Sequence, residues 1–254
     1  MALTVVSWNL KGSKGVDVRA VVDHIEATVA DVVVLQEVQL RQARAIARSL
    51  GARSLQWGFK HWPIRTWPEG MAVIGVTRPA PARTHAITQR WMLWSSRRRI
   101  LQVGALSLDA GARPGPSVTL VNAHLSSGGN AAARALEAEA IVRRVAERGR
   151  QAVVAGDLND LPGADVHARF RAAGLRDVWS ALRGDEPGPT NWRGWVPGTP
   201  KPPTQRLDYV LVTQGLDPAA VSVPRHGDPD FAPFASISDH LPLAATVAAA
   251  EAPS

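Results

Sequence analysis

Gln151-Ala152-Val153-Val154-Ala155 runs directly into Gly156-Asp157-Leu158-Asn159-Asp160. The first five residues, small and β-branched at the centre, predict a buried strand. The next five, rich in Gly, Asp and Asn, predict a tight turn. An acid and an amide are thereby mounted where a rigid strand meets a loop, the place where sites are built. The same arrangement recurs outward in both directions. Toward the N-terminus, His124 follows the run 118–122, Glu37 follows Asp31-Val32-Val33-Val34-Leu35, and Asn9 follows Leu3-Thr4-Val5-Val6-Ser7-Trp8. Toward the C-terminus, Asp208 precedes Tyr209-Val210-Leu211-Val212, and Asp239-His240 precedes Leu241-Pro242-Leu243. Any one of these polar residues reads as a turn former or a hydrogen-bonded structural histidine. Together they predict one site.

Further strands are predicted over 71–76, 100–108, 207–212 and 243–247. Helices are predicted over 17–30, with Val18, Val21, Val22, Ile25 and Val29 on one face; over 40–50, stopped by Gly51; and over 130–148, with Leu136, Ala140, Ile141 and Val145 inward. The Pro/Gly-rich stretches 184–203 and 224–235 read as long loops between strands rather than domain linkers. One domain over 1–250 with a short tail at 251–254 is the expected organisation.

The chain has 254 residues, 45% of them apolar and 20% charged, so global disorder is excluded. It has no cysteine, which removes disulfides, thiolate zinc sites, iron–sulfur clusters and cysteine nucleophiles. The stretch 241–250 is broken by Pro242 and too short to span a bilayer, and no signal-peptide pattern opens the chain. A cytoplasmic monomer without membrane insertion is the expectation. Basic residues outnumber acidic ones 29 to 22, a net charge of +7, and only Lys11, Lys14, Lys60 and Lys201 are lysine. Arginine excess suits polyanionic partners and also follows from a high-GC coding bias. The dinucleotide fingerprint, the Walker loop, HExxH and GxSxG are all missing.

The ordered series Ser7-Trp8-Asn9, Leu35-Gln36-Glu37-Val38, Asn122-Ala123-His124-Leu125, Gly156-Asp157-Leu158-Asn159-Asp160, Arg206-Leu207-Asp208-Tyr209-Val210 and Ser238-Asp239-His240-Leu241-Pro242 resembles the endonuclease/exonuclease/phosphatase (DNase I-like) superfamily. The resemblance covers residues 7 to 242. It implies an α/β fold, a four-layer αββα sandwich of two mostly antiparallel sheets flanked by helices, with the site at one end. It also implies cleavage of a phosphate ester with a divalent cation, magnesium or manganese. By resemblance Glu37, Asn9 and Asp239 hold the metal, a set of oxygen donors that magnesium accepts. Asp157 orients or deprotonates the attacking water, and Asn159 contacts the phosphate and positions Asp157. Asp208 pairs with His240, while Glu69 lies where DNase I-like members carry the acidic partner of His124. Both histidines take the looser role of acid/base or electrostatic catalyst.

Two departures narrow the expectation. Exonuclease III-type abasic-site enzymes often place an acidic residue two positions beyond Asn9; here Lys11 stands there, suited to a phosphate. Where those enzymes use a tyrosine, this chain has His124. A nuclease acting on DNA or RNA is the first expectation. A phosphatase or phosphodiesterase acting on a lipid head group or small phosphoester is the second, and a non-catalytic nucleic-acid-binding module the third. Segment 56–68 and Trp192-Arg193-Gly194-Trp195 interleave aromatics with basic residues, as base-stacking surfaces do, although tryptophans also pin loops to cores. Arg97-Arg98-Arg99 reads as a solvated edge or a phosphate-binding run.

Overall fold

Trp8 and Leu35, the last apolar residues of two predicted strands, lie side by side in a parallel pair. That pair is the centre of the first of two sheets. The structure, a computed structural model, describes residues 2–62, 67–87, 99–108, 117–149 and 151–250. The predicted tail 251–254 lies outside the described residues. In chain order the elements are β1 (Ala2–Asn9), α1 (Val18–Ala27), β2 (Val32–Gln39), α2 (Leu40–Ser49), β3 (Ser54–His61), β4 (Glu69–Gly75), β5 (Ala82–Ala86), β6 (Ile100–Ser107), β7 (Ser117–His124) and α3 (Ala131–Ala146). They continue with β8 (Ala152–Asp157), α4 (Asp165–Ala172), β9 (Leu175–Asp177), α5 (Val178–Arg183), β10 (Asp208–Thr213), β11 (Leu216–Ser222), α6 (Phe234–Ile237) and β12 (Leu243–Ala249).

One sheet has the order β11-β12-β1-β2-β4-β3 and the other β5-β6-β7-β8-β10-β9. Each is antiparallel except for one central parallel pair, β1 with β2 and β7 with β8. A parallel pair needs a crossover, supplied by α1 in the first case and α3 in the second. The two sheets face one another and helices cover their outer faces, an α/β sandwich. Among the described residues no helix is long and apolar enough to cross a membrane.

The inner faces pack Val153, Ala155, Val210 and Val212 against Val5, Val34 and Leu243. One polar girder crosses this core. Asn122 accepts from Gln36 Nε2 at 2.8 Å and donates to Leu35 O, Ala72 O and Gln102 Oε1 at 3.0–3.1 Å, so its buried amide is satisfied from both sheets.

The helices differ from expectation in two places. Helix α1 ends at Ala27, and Val29, expected on its inner face, is 76% exposed with φ of 50°. In α3 the buried stripe is Arg134, Glu137, Ala138, Ile141 and Val145, which leaves Leu136 66% exposed. The spacing i, i+3, i+4, i+7, i+11 is one helical face. Arg134 and Glu137 belong to it because they bind the loop after β7, and that rotates Leu136 outward.

Gly156 shows how tightly β8 is set beside β7. Its φ is +147°, and a Cβ there would lie 1.9 Å from Ala123 O. Gly156→Ala is expected to cost about 2–3 kcal/mol of stability, through backbone strain and displacement of β8. Urea unfolding measures this; an unchanged midpoint would contradict the close approach.

Candidate active site

Register alone collects most of the site. Across the second sheet, His124 on β7 is opposite Asp157 on β8, and Asp157 is opposite Asp208 on β10. In the first sheet Asn9 is opposite Gln36, next to Glu37. Glu37 leaves the strand alternation at a bulge between Leu35 and Val38, where its φ is +50°. Lys11 and Asn159 also have positive φ, at 46° and 50°. Such backbone costs about 1–3 kcal/mol per residue and concentrates at functional sites.

Asp157 is the hub. Its Oδ2 accepts from Asn9 Nδ2 at 3.0 Å, and its Oδ1 accepts from the Asn159 backbone N–H at 2.9 Å. His124 Nε2 lies 3.5 Å and His240 Nε2 lies 3.7 Å from the same Oδ2. Burial, with Asp208 adding to it, raises the Asp157 carboxyl to about 6 against the pull of His240 and its hydrogen bonds. Asp208 Oδ2 binds His240 Nδ1 at 2.7 Å. Burial disfavours a charged His240, but the Asp208 and Asp157 carboxylates outweigh it and raise the imidazole to about 10. His124 is driven the other way, well below the ordinary histidine value, by burial and by the cations Lys60 and Arg99.

The C-terminal candidate residues are held by loops the sequence left structureless. Thr190 Oγ1 accepts from the backbone N–H groups of both Leu207 and Asp208 at 3.1 Å. Asn191 Nδ2 donates to Asp239 O at 3.0 Å. Ser238 Oγ donates to Asn9 O at 2.6 Å, and Trp8 Nε1 donates to His240 O at 2.9 Å. The 238–240 turn is therefore tied to the end of β1.

Glu37, Asn9 and Asp239 offer two carboxylates and an amide oxygen, the hard donor set of magnesium. Asn9 gives its Nδ2 to Asp157, which turns Oδ1 away from Asp157; that oxygen accepts from Lys11 N at 3.1 Å. The Lys11 ammonium pairs with Asp239. This donor set fits a divalent cation, with Lys11 competing for Asp239. Asp157, Asp208 and His240 also approach closely enough to be considered as ligands, one atom from each lying within 4.8 Å of the others. A His240 imidazolium engaged with Asp208 lacks the lone pair a metal needs, which favours Glu37 as the anchor.

Glu69 is placed differently from expectation. It accepts from Ser13 N and lies 3.6 Å from His61 Nε2, and its carboxyl is raised to about 7 by burial and the Glu37 charge. His124 Nδ1 instead meets Lys60 Nζ at 3.0 Å. Lys60 is only 1% exposed, also 3.8 Å from Glu37 Oε1, and burial lowers its ammonium to about 8. Asn159 spends its side-chain Nδ2 on Leu125 O at 3.0 Å.

Around this core, Arg134 bonds Asp160, Ser126 O and Gly128 O, while Glu137 accepts from Ser126 N and Oγ. Arg99 Nε donates to Ser126 Oγ at 3.2 Å and is buried, so a solvated edge is wrong for this residue; Arg97 and Arg98 lie outside the described residues. Trp192 is buried and donates to Lys201 O, the loop-pinning role. Trp195 lies beside the site, its ring 5.3 Å from Lys11 Nζ. In segment 56–68, Trp57 donates to Val38 O and Trp62 and Trp67 are exposed; residues 63–66 lie outside the described residues.

An endonuclease/exonuclease/phosphatase from Bacteroides vulgatus superposes with a TM-score of 0.75 at 18% identity, covering 98% of this chain and all of that one. A functionally unknown conserved protein from Enterococcus faecalis gives 0.76 at 17% identity, covering 98% and 100%. D. rerio TDP2, solved with a single-strand DNA product, gives 0.71 at 17% identity, covering 97% and 99%. These likenesses show the fold. No curated protein matches the sequence. The model of the Endonuclease/Exonuclease/phosphatase family matches residues 6–240. By that match, over nearly its whole length, the chain belongs to the endonuclease/exonuclease/phosphatase family.

Proposed function

We propose that the protein is a divalent-metal-dependent phosphoesterase, and within that class a nuclease hydrolysing phosphodiester bonds of DNA or RNA. The observation carrying this reading is the convergence of His124, His240 and Asn9 on one oxygen of a buried Asp157, beside Glu37. Glu37, with Asn9 and Asp239, would hold magnesium or manganese, which supplies Lewis-acid polarisation and charge neutralisation at a phosphate. Asp157, raised to about 6 and aligned by Asn9 and Asn159, is the base for the attacking water near neutral pH. His240, held protonated by Asp208, donates toward the phosphate oxygens, where negative charge grows. Lys11 contributes a second cation for the phosphate. With its Nδ2 bonded to Leu125 O, Asn159 acts by positioning Asp157.

Three features support nucleic acid as the substrate: the +7 charge, Trp195 stacked beside Lys11 at the site, and a TDP2 neighbour that holds single-strand DNA. The test offers purified enzyme plasmid, single-stranded DNA, RNA, sphingomyelin, inositol phosphates and bis-p-nitrophenyl phosphate. Nucleic acid is expected to be cut, more slowly as salt rises. EDTA should stop the reaction, and magnesium should restore it. Glu37→Gln should raise the magnesium needed for half-maximal rate by about tenfold or more. Hydrolysis confined to lipid or inositol substrates would overturn the nuclease reading, and none at all would overturn the class.

A further inference from the structure

His124 sits in an asymmetric field. On its Nδ1 side, Lys60 Nζ is 3.0 Å away. On its Nε2 side stand two carboxylates, Asp157 Oδ2 at 3.5 Å and Glu37 Oε1 at 3.8 Å. An ammonium only donates and a carboxylate only accepts. The nitrogen facing Lys60 must therefore carry the lone pair, and the nitrogen facing the carboxylates must carry the hydrogen. A doubly protonated ring would point Nδ1–H at an ammonium, and the opposite tautomer would aim a lone pair at two anions.

We infer that Lys60 is a positioning residue that holds His124 as the neutral, Nε2-protonated tautomer. His124 is then a hydrogen-bond donor to Asp157 and to phosphate oxygens, and it is not the proton acceptor of the reaction. This sharpens the role of one residue in the phosphoesterase reading and rests on that reading for its catalytic part. The two histidines thereby differ in kind. His240 has a carboxylate on its Nδ1 and is held as a cation; His124 has a cation on its Nδ1 and is held neutral. Which group sits behind each ring sets what its front nitrogen does.

Lys60 reaches His124 from β3, an edge strand, with its stem buried. Its neighbour His61 takes Glu69, the acid that resemblance assigned to His124. The register of β3 against β4 shifts between Phe59 and His61, and at that bulge Lys60 faces His124 while His61 faces Glu69.

The test reads the ring directly, without substrate. In metal-free protein with 15N-labelled histidine, long-range 1H–15N correlation should show His124 with Nδ1 unprotonated and Nε2 protonated. Lys60→Met removes the donor and keeps the length; the ring should redistribute between tautomers. With magnesium and bis-p-nitrophenyl phosphate, its kcat should fall about 10–100-fold with KM unchanged. Lys60→Gln, which retains an N–H, should restore the wild-type tautomer and most of kcat. It also carries the test if the Met variant fails to fold. A protonated Nδ1 in the wild type would overturn the inference, as would Lys60→Met with wild-type spectrum and wild-type kcat. If no phosphoester is cut while the spectra behave as stated, the tautomer assignment stands and the catalytic reading fails.

Discussion

Asp157→Asn is expected to lower turnover about 1,000-fold while leaving the protein folded. The substitution is nearly isosteric, and the amide oxygen still accepts from Asn9 Nδ2 or from the Asn159 N–H. It removes the anion that His124 and His240 face and leaves nothing to accept a proton from water. The loss should fall on kcat with little change in KM, because the base acts in the transition state. Circular dichroism and urea unfolding establish the fold, and steady-state kinetics establish the loss. A folded variant with more than about a tenth of wild-type kcat would remove Asp157 from the reaction.

Asp208→Asn is expected to destabilise the fold by about 3–5 kcal/mol near pH 6, the cost of breaking a buried ion pair by removing one partner. Asp208 is fully buried, and its charge is what keeps a buried His240 protonated. An ordinary histidine titrates near 6.5, and His240 is raised to about 10 in the folded protein. The folded chain therefore binds a proton more tightly than the unfolded chain, and the stabilisation is fully present below about pH 6.5. It is lost as pH rises from there through about 10. The gap between wild type and variant should be widest at pH 6 and shrink toward pH 10. Urea melts at both pH values measure it. Equal gaps would show that Asp208 acts by hydrogen bonding alone.

Among the described residues, the strands legible in the sequence were the eight inner ones, and the four missed, β3, β5, β9 and β11, are sheet edges. Inner strands are flanked on both sides and buried on both faces, so they read as continuous apolar runs such as Val32-Val33-Val34-Leu35. An edge strand keeps solvent on one side and tolerates residues that disguise it. β11 contains Pro218 at a bulge, and β3 carries Lys60 and His61. Helices α4, α5 and α6 were missed because they are short, eight residues at most.

The site divides along the same line. Asn9, Glu37, His124, Asp157, Asp208 and His240 were legible because each lies beside the apolar run of an inner strand. Lys60, Arg134, Glu137, Thr190 and Asn191 were not, because nothing local separates a buried lysine or arginine from a solvated one. Their partners lie far along the chain: Lys60 meets His124, and Asn191 meets Asp239.

Sequence alone therefore determined the inner strands in chain order, the polar residues beside most of them and the family resemblance. These follow from local pattern, which every strand carries within itself. Only the tertiary structure decided how those residues are wired. It gave His240 an anion and His124 a cation, and moved Glu69 from His124 to His61. It also turned Leu136 out so that Glu137 could face in. Such choices depend on which charges the two sheets bring within a few ångströms of each other, and burial then makes each pairing strong enough to set a proton.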